Sequence, residues 1–281
     1  ILDIVMIAVF QMGVGGAALA TILSQFISVA LCLVRLVRVN ESYRVHLTKI
    51  RFDRFMLKLI IQYGLPSGIQ NSIIGIANVV VQANINAFGE MAMAGCGAYA
   101  KIEGFAFLPI TSFTQALTTF VGQNLGAREY ERTKKGARFG ILCSVLIAEL
   151  IGVAIFASAP LLISAFTQEP EAIKFGADKA RICALFYFLL AFSHCISAVL
   201  RGAGRAMVPM VTMLAFWCVI RVSFLTVMVP IIQSIAVVNW VYPLTWSLSS
   251  VTLLIYYLKA NWLYGFDRQK PKRKLAEAAE E

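Results

Sequence analysis

Residues 128–160 read REYERTKKGARFGILCSVLIAELIGVAIFASAP. A short stretch rich in Lys and Arg is followed, from residue 138 onward, by an apolar run whose interior holds one ionisable residue, Glu149. A bilayer core of about 30 Å takes roughly 20 apolar residues of helix. The run therefore predicts a transmembrane helix, and its basic flank predicts that this end faces the cytoplasm.

Six further stretches have the same character. They cover 17–37, 60–87, 93–121, 181–200, 207–230 and 238–258. Of the 25 Lys and Arg residues, 20 fall in or beside alternate connecting segments, the C-terminal tail included. The positive-inside rule then predicts a multi-pass protein of the cell membrane with a cytoplasmic C-terminus. The predicted fold class is an all-α polytopic membrane protein with seven transmembrane helices.

The composition restricts the possible functions. A formal charge of +10 suggests nucleic acid in a soluble protein, but here the charge flanks apolar spans that face an anionic leaflet, so the lipid bilayer is the expected partner. A chain that is 59% hydrophobic would expose large apolar areas in water. Motifs of metalloproteases, serine hydrolases and P-loop enzymes are absent from the sequence, so we expect no enzyme, no cofactor and no metal site.

The longest polar connection, 38–58, divides the chain unevenly. It mixes charged and apolar residues, as expected of an amphipathic segment on the cytoplasmic surface. One span precedes it in 1–37 and six follow in 59–259, before a charged cytoplasmic tail, 260–281. If the protein has two equal halves, five spans are missing in front, and we expect this piece not to function without that missing N-terminal lobe.

Polar side chains form a stripe along the second span. After a GLP turn at Gly64 and Pro66, the stripe recurs at steps of three or four and so lies on one helical face. Its members are Ser67, Asn71, Gly75, Asn78, Gln82 and Asn86. Hydrocarbon offers amides no partners, so the stripe either bonds neighbouring helices or lines a water-filled cavity.

The third span carries two intramembrane charges. Lys101 and Glu103 are two residues apart, point to different helical faces and cannot pair with each other. Pro109 should interrupt this helix, and Gln115 continues the Lys101 side. Broken polar helices often carry transport sites. The alternative is that Lys101 extends to the interface while Glu103 caps a neighbouring helix.

Other polar residues in the spans have two interpretations each. Glu149 and Arg221 could neutralise each other, and we favour a structural role for Arg221. Tyr187 and His194 share one face of the fifth span, where the imidazole either relays protons or only packs. Glycines spaced four apart predict close helix packing. These pairs are Gly64/Gly68, Gly122/Gly126 and Gly136/Gly140.

Several motifs together resemble a known family. They are GLPSGIQNSIIGIANVVVQANINAFG (64–89), AGCGAYAKIEGFAFLPITSFTQALTTFVGQNLGA (94–127), LRGAGRAMVPM (200–210) and LDIVMIAVFQMGVGGAALATILSQ (2–25). The combination is similar to the second half of multidrug and toxic compound extrusion (MATE) transporters. The resemblance implies that the chain is part of a twelve-helix, two-lobe transporter and contains the sixth helix and the C-terminal lobe.

The resemblance also implies a function. Such transporters export bulky, often cationic amphipathic compounds in exchange for H⁺ or Na⁺ by alternating access, so drug-like cations are the expected substrates. Residues that match the family's architectural motifs are Gln123, Asn124, Gly126, Gly202, Gly204, Pro209 and Arg221.

The family's acidic cation site is not matched. Some members place a glutamate in the seventh helix, where this chain has Asn71, Asn78 and Gln82. The residues expected along the substrate or ion pathway are Asn71, Asn78, Gln82, Asn86, Lys101, Glu103, Gln115, Tyr187 and His194. A lipid-linked saccharide flippase of related fold is the alternative, and it would need a more cationic cleft than Lys101 and Arg221 provide.

Overall fold

The computed structural model describes residues 2–40, 44–46 and 51–264. The chain divides into two compact units, Ile1–Leu57 and Lys58–Glu281. Seven residues of the predicted interfacial segment (41–43 and 47–50) and the tail from residue 265 lie outside the described residues.

The described part of the first unit contains one long helix, α1 (Gly13–Arg38), which confirms the first predicted span. A short helical segment precedes it, Leu2–Ile4 followed by a π-helical turn at Val5–Val9. Within α1 only Gly16 and Ala20 are buried.

Seven helices follow within residues 51–264. They are α2 (Arg54–Asn86), α3 (Glu90–Gly126), α4 (Tyr130–Ser164), α5 (Pro170–Ala184), α6 (Tyr187–Gly202), α7 (Met207–Ile232) and α8 (Ile235–Lys259). By length and composition α1, α3, α4, α7 and α8 can each cross a membrane, and α5 and α6 pass the same test only as a pair bent by 54°, the geometry of a broken span or a re-entrant loop. The 33-residue α2 is long enough, but its amides lower its hydropathy. The all-α polytopic fold class is confirmed.

The core of the second unit is built around α3. This helix packs against α4, α5 and α6, and α8 packs against α6 and α7. The main cluster includes Tyr99, Tyr187, Leu200 and Trp246. A smaller cluster joins the end of α2 to α7 and α8 through Val81, Ile85, Leu225 and Val238.

The prediction that prolines begin or interrupt these helices is wrong. Gly64 and Pro66 do not open the second span, because α2 begins at Arg54 and continues through both. Pro109 likewise lies inside the continuous α3. Transmembrane helices tolerate proline where hydroxyl groups and neighbouring helices stabilise the backbone nearby. In α3 the Thr111 and Ser112 hydroxyls both donate to the Leu108 carbonyl, at 2.8 and 3.0 Å.

The closest approaches of one helix backbone to another occur at glycines other than the predicted pairs. A Cβ at Gly95 of α3 would collide with the Ala172 carbonyl oxygen of α5, and one at Gly176 would lie 2.6 Å from the Gly95 carbonyl oxygen. Gly64, Gly68 and Gly126 instead have nothing within 4 Å of an added Cβ. A Cβ at Gly122 would lie 3.5 Å from the Gly202 carbonyl oxygen, and Gly136 and Gly140 pack against the Phe120 and Leu117 side chains of α3, as the spacing predicted for those two. The α3–α5 contact therefore depends on glycine at both Gly95 and Gly176.

We predict that Gly95→Ala destabilises the full-length protein. The new methyl group meets backbone that cannot rotate away, and overpacking of this kind costs about 1–3 kcal/mol. Gly97→Ala is the matched control, because Gly97 lies two residues along α3 and has open space beside it. Thermal unfolding in detergent should show a lower midpoint for Gly95→Ala alone. Equal midpoints for the two variants would contradict the close contact.

Candidate functional site

The second unit contains a cavity of about 500 Å³. This volume is within the range of small-molecule sites. The lining comes from α2, α3, α5, α6, α7 and α8, and it mixes amides, charges and aromatic rings. The described lining residues are Asn71, Ile74, Asn78, Val81, Gln82, Ile85, Cys96, Ala100, Glu103, Gly104, Phe107, Lys179, Leu190, His194, Trp217, Arg221, Tyr242 and Trp246.

The amide stripe of α2 forms one wall. Asn71, Asn78 and Gln82 line the cavity. Asn86, the last member, is outside the lining, and its Oδ1 accepts a 2.8 Å hydrogen bond from Gln82 Nε2. The cavity thus brings together Asn71, Asn78 and Gln82, and Asn86 contacts Gln82 outside it.

Glu103 brings a carboxylate into the wall from α3. Its Oε1 accepts a hydrogen bond from the Tyr99 hydroxyl at 3.2 Å, and that hydroxyl lies 3.0 Å from the Tyr187 hydroxyl. Tyr187 is buried behind the wall, where its hydroxyl contacts that of Tyr99 and its ring packs against Trp246 of the lining. Lys101 and Gln115 are exposed residues outside the lining, so the structure does not bring them to this cavity.

Lys179 is the residue that the sequence analysis missed. Its position near the edge of a predicted span suggested a connecting segment, yet it lies in α5 with only 5% of its surface exposed. Its ammonium nitrogen is 5.0 Å from the ring centroid of Tyr242 and 5.5 Å from that of Tyr99. Buried small residues at helical spacing could have revealed this face: Ala172, Gly176, Ala180 and Cys183.

A π-helical turn in α7 positions the other cation. Leu214–Ile220 is π-helical, and such turns occur frequently at functional sites. Trp217, within this turn, donates from Nε1 to Ser249 Oγ at 3.1 Å. Arg221, directly after the turn, donates from Nη2 to Thr245 Oγ1 at 2.8 Å. Two hydrogen bonds to successive turns of α8 therefore fix both side chains.

Arg221 does not pair with Glu149. The Glu149 carboxylate accepts a hydrogen bond from the backbone N–H of Phe188 at 3.2 Å. Arg221, 1% exposed, has its guanidinium carbon 4.6 Å from the Tyr242 ring centroid and 5.1 Å from that of Trp217. The predicted neutralisation of the two charges is therefore wrong, because hydroxyl and aromatic partners on α7 and α8 surround Arg221.

His194 lies between two rings of the wall. Its imidazole centroid is 5.1 Å from Phe107 and 5.3 Å from Trp217, both in edge-on arrangements. Its buried Nε2 has no hydrogen-bond partner among the described residues. The observed contacts are those of the packing interpretation, although the ring borders the cavity.

The architectural motifs lie at the ends of helices. At the end of α3, Asn124 Nδ2 donates to the Phe120 carbonyl at 2.8 Å, and the Asn124 carbonyl accepts from the N–H of Glu129. Gln123 and Gly126 are at the same helix end. Between α6 and α7, Gly204 has a φ of +76°, which favours glycine. Gly202 and Pro209 flank that turn.

Comparison with known proteins identifies relatives. The family model described as MatE matches residues 66–227. "Probable multidrug resistance protein NorM" of Thermotoga maritima is 30% identical over 260 residues, which are 90% of this chain and 54% of that protein. The "FAD transporter" of Shewanella oneidensis is 25% identical over 58% of this chain and 36% of that protein. The chain thus spans about half the length, or less, of these curated relatives.

Solved structures share the fold. An outward-facing multidrug resistance MATE family transporter matches with a TM-score of 0.84 at 22% identity, over 95% of this chain and 60% of that one. A MOP superfamily transporter from Pyrococcus furiosus, described as having a binding pocket of reverse polarity, matches with a TM-score of 0.82 at 22% identity, over 92% of this chain and 57% of that one. Since the family model covers more than half of the chain, and the Thermotoga relative is 30% identical over nine-tenths of it, the chain belongs to the MatE family of membrane transporters.

Proposed function

We propose that the full-length protein is a secondary active exporter of amphipathic organic compounds, cationic ones among them, that works by alternating access in exchange for H⁺ or Na⁺. The observation that carries this proposal is the polar and aromatic cavity inside a bundle of membrane-spanning helices. Relatives named as multidrug resistance and multidrug export proteins support the general part of this proposal, that the full-length protein transports multiple drugs.

The cavity wall suits compounds with an apolar body and a charged group. Phe107, Trp217, Tyr242 and Trp246 present aromatic surface. Such rings bind flat apolar compounds and attract organic cations through their faces. Glu103 is the one carboxylate among the described lining residues and supplies the counter-charge for a cationic substrate.

The position of the cavity fits an exporter. The α2 lining residues, 71 to 85, lie in the half of that helix next to the α2–α3 turn, and Tyr242 lies close to the α7–α8 connection. The positive-inside rule assigns these connections to the outer side, with the C-terminus in the cytoplasm of the cell. In this orientation the cavity occupies the outward half of the lobe, where an exported compound would be released.

Glu103 is also our candidate for ion coupling in this lobe. Its carboxylate can exchange a proton, and the neighbouring oxygens of Asn71, Asn78 and Gln82 could contribute to a Na⁺ site. Exchange by alternating access requires that compound and ion bind in alternation rather than together. A shared carboxylate is a direct way to produce that alternation.

A lipid-linked saccharide flippase remains the second candidate function. The observation in its favour is the pair of buried cations, Lys179 and Arg221, because pyrophosphate recognition needs clustered positive charge. The aromatic surface of the cavity and the names of the relatives favour the exporter.

If the protein is an exporter of this kind, movement of the coupling ion depends on the addition of a transported compound. Full-length protein in liposomes, under an imposed H⁺ or Na⁺ gradient, should release that ion when a cationic dye or a fluoroquinolone is added. The ion that moves identifies the coupling. If neither ion moves although the protein is shown to be folded, the proposal of an exporter is wrong. Ion-independent translocation of a lipid-linked saccharide in the same vesicles would support the flippase, and its absence would leave a membrane protein without transport.

Glu103→Gln should weaken this transport of cationic dyes while the protein remains folded. Loss of one charge contact in a partly buried site is worth on the order of 1–2 kcal/mol, so we expect a decrease of roughly tenfold in compound-dependent ion movement. Glu90→Gln is the matched control, an exposed glutamate in the first turn of the same helix. Equal rates for both variants would remove Glu103 from the site.

A further inference from the structure

We propose that Lys179 and Arg221 form an anion subsite within the cavity, which accepts a carboxylate or phosphate carried by an amphipathic substrate. This inference rests on the proposed function and specifies its substrate class: compounds with an acidic group, including zwitterions, as well as simple cations. It follows from the charges of the cavity wall, its unpartnered donors and its aromatic lining.

The charges of the wall do not balance. Lys179 and Arg221 are both buried, and Glu103 is the only described carboxylate of the lining. Glu103 accepts from Tyr99, Arg221 donates to Thr245, and Lys179 lies over two rings, so among the described residues none of the three is ion-paired with another. A buried cation without a counter-ion is expensive within a membrane and indicates a functional site.

Two buried donors in the wall have no acceptor. Arg221 uses one nitrogen for Thr245, while its Nε has no hydrogen-bond partner in the described chain. Trp246 Nε1, one residue along α8 from Thr245, also lacks one among those residues. The indole of Trp217 differs, because Ser249 accepts its hydrogen bond. A planar acidic group offers several acceptor lone pairs, and arginine binds such groups by two parallel hydrogen bonds.

The two cations have complementary roles. Hydrogen bonding and ring stacking hold Arg221 in place, so its guanidinium presents a rigid fork. Lys179 extends from α5 with a flexible stem, and its ammonium group lies over ring faces. Such a group can approach an anion over a range of positions. The aromatic walls would hold the body of the compound, while Glu103 remains available for a cationic end.

Two sources carry this chemistry: the acidic group of a drug-like solute and the phosphate of a prenyl lipid. The test therefore uses two matched pairs, a fluoroquinolone with its methyl ester, and farnesyl phosphate with farnesol. Tetraphenylphosphonium serves as a cation without an acidic group. Binding is measured calorimetrically on the full-length protein in phosphatidylcholine nanodiscs, so that the bilayer itself supplies no net anion.

The variants are Lys179→Met and, as matched control, Lys174→Met at a more accessible position of the same helix. We expect at least one acid to bind about tenfold more tightly than its partner that lacks the acidic group. Lys179→Met should abolish that difference, Lys174→Met should preserve it, and Lys179→Arg should restore most of it. Binding of tetraphenylphosphonium to Lys179→Met, retained and if anything tighter because a positive charge has left the wall, would show that the variant is folded.

The outcomes separate the two proposals. Preference for the fluoroquinolone acid would show that the subsite binds the acidic group of a solute. Preference for farnesyl phosphate would show that it binds a lipid phosphate. If neither acid is preferred, or if the preference survives in Lys179→Met, the anion subsite is wrong. In that case compound-dependent release of H⁺ or Na⁺ would still support the exporter. Loss of ion movement together with retained acid preference would instead reject the exporter alone.

Discussion

Hydrocarbon offers no hydrogen-bond partner, so every polar group within a membrane span must find one in protein or border a cavity. Both arrangements occur in the second unit. Thr245 and Ser249 of α8 accept from Arg221 and Trp217 of α7, and these bonds fix one wall. The α2 amides instead border the cavity. Because α2 carries this line of amides, the site lies where that helix meets the others.

This constraint also explains what the sequence could predict. Span positions followed from apolar length, and the alignment of Asn71, Asn78 and Gln82 followed from helical period, because both are local properties of the chain. Lys179 was missed for a tertiary reason. The fifth span is bent, and its first half, α5, is too polar to be identified as membrane-embedded by composition. The spacing of its small residues was the one sequence signal for the inward face, and packing against α3 and α8 shows that the lysine points into the bundle.

The glycine contact connects the packing of the lobe to the site. Gly95 and Gly176 allow α3 and α5 to approach closely. Tyr99 lies one turn after Gly95, and Lys179 lies one turn after Gly176, so the same approach brings the Lys179 ammonium within 5.5 Å of the Tyr99 ring. Tyr99 then donates to Glu103. Two residues without side chains thus support the arrangement of Lys179, Tyr99 and the half-buried Glu103, although neither glycine lines the cavity.

The π-helical turn of α7 has a comparable effect on the opposite wall. A regular α-helix places residues four apart on nearly the same face, and the wider turn at Leu214–Ile220 changes the register of everything after it. Arg221 begins the α-helical segment that follows, so its direction depends on that turn. The turn is a local irregularity that hydropathy does not reveal. One cation is therefore placed by a change in helical register and the other by a close helix contact, so the distance between the two cations depends on both features.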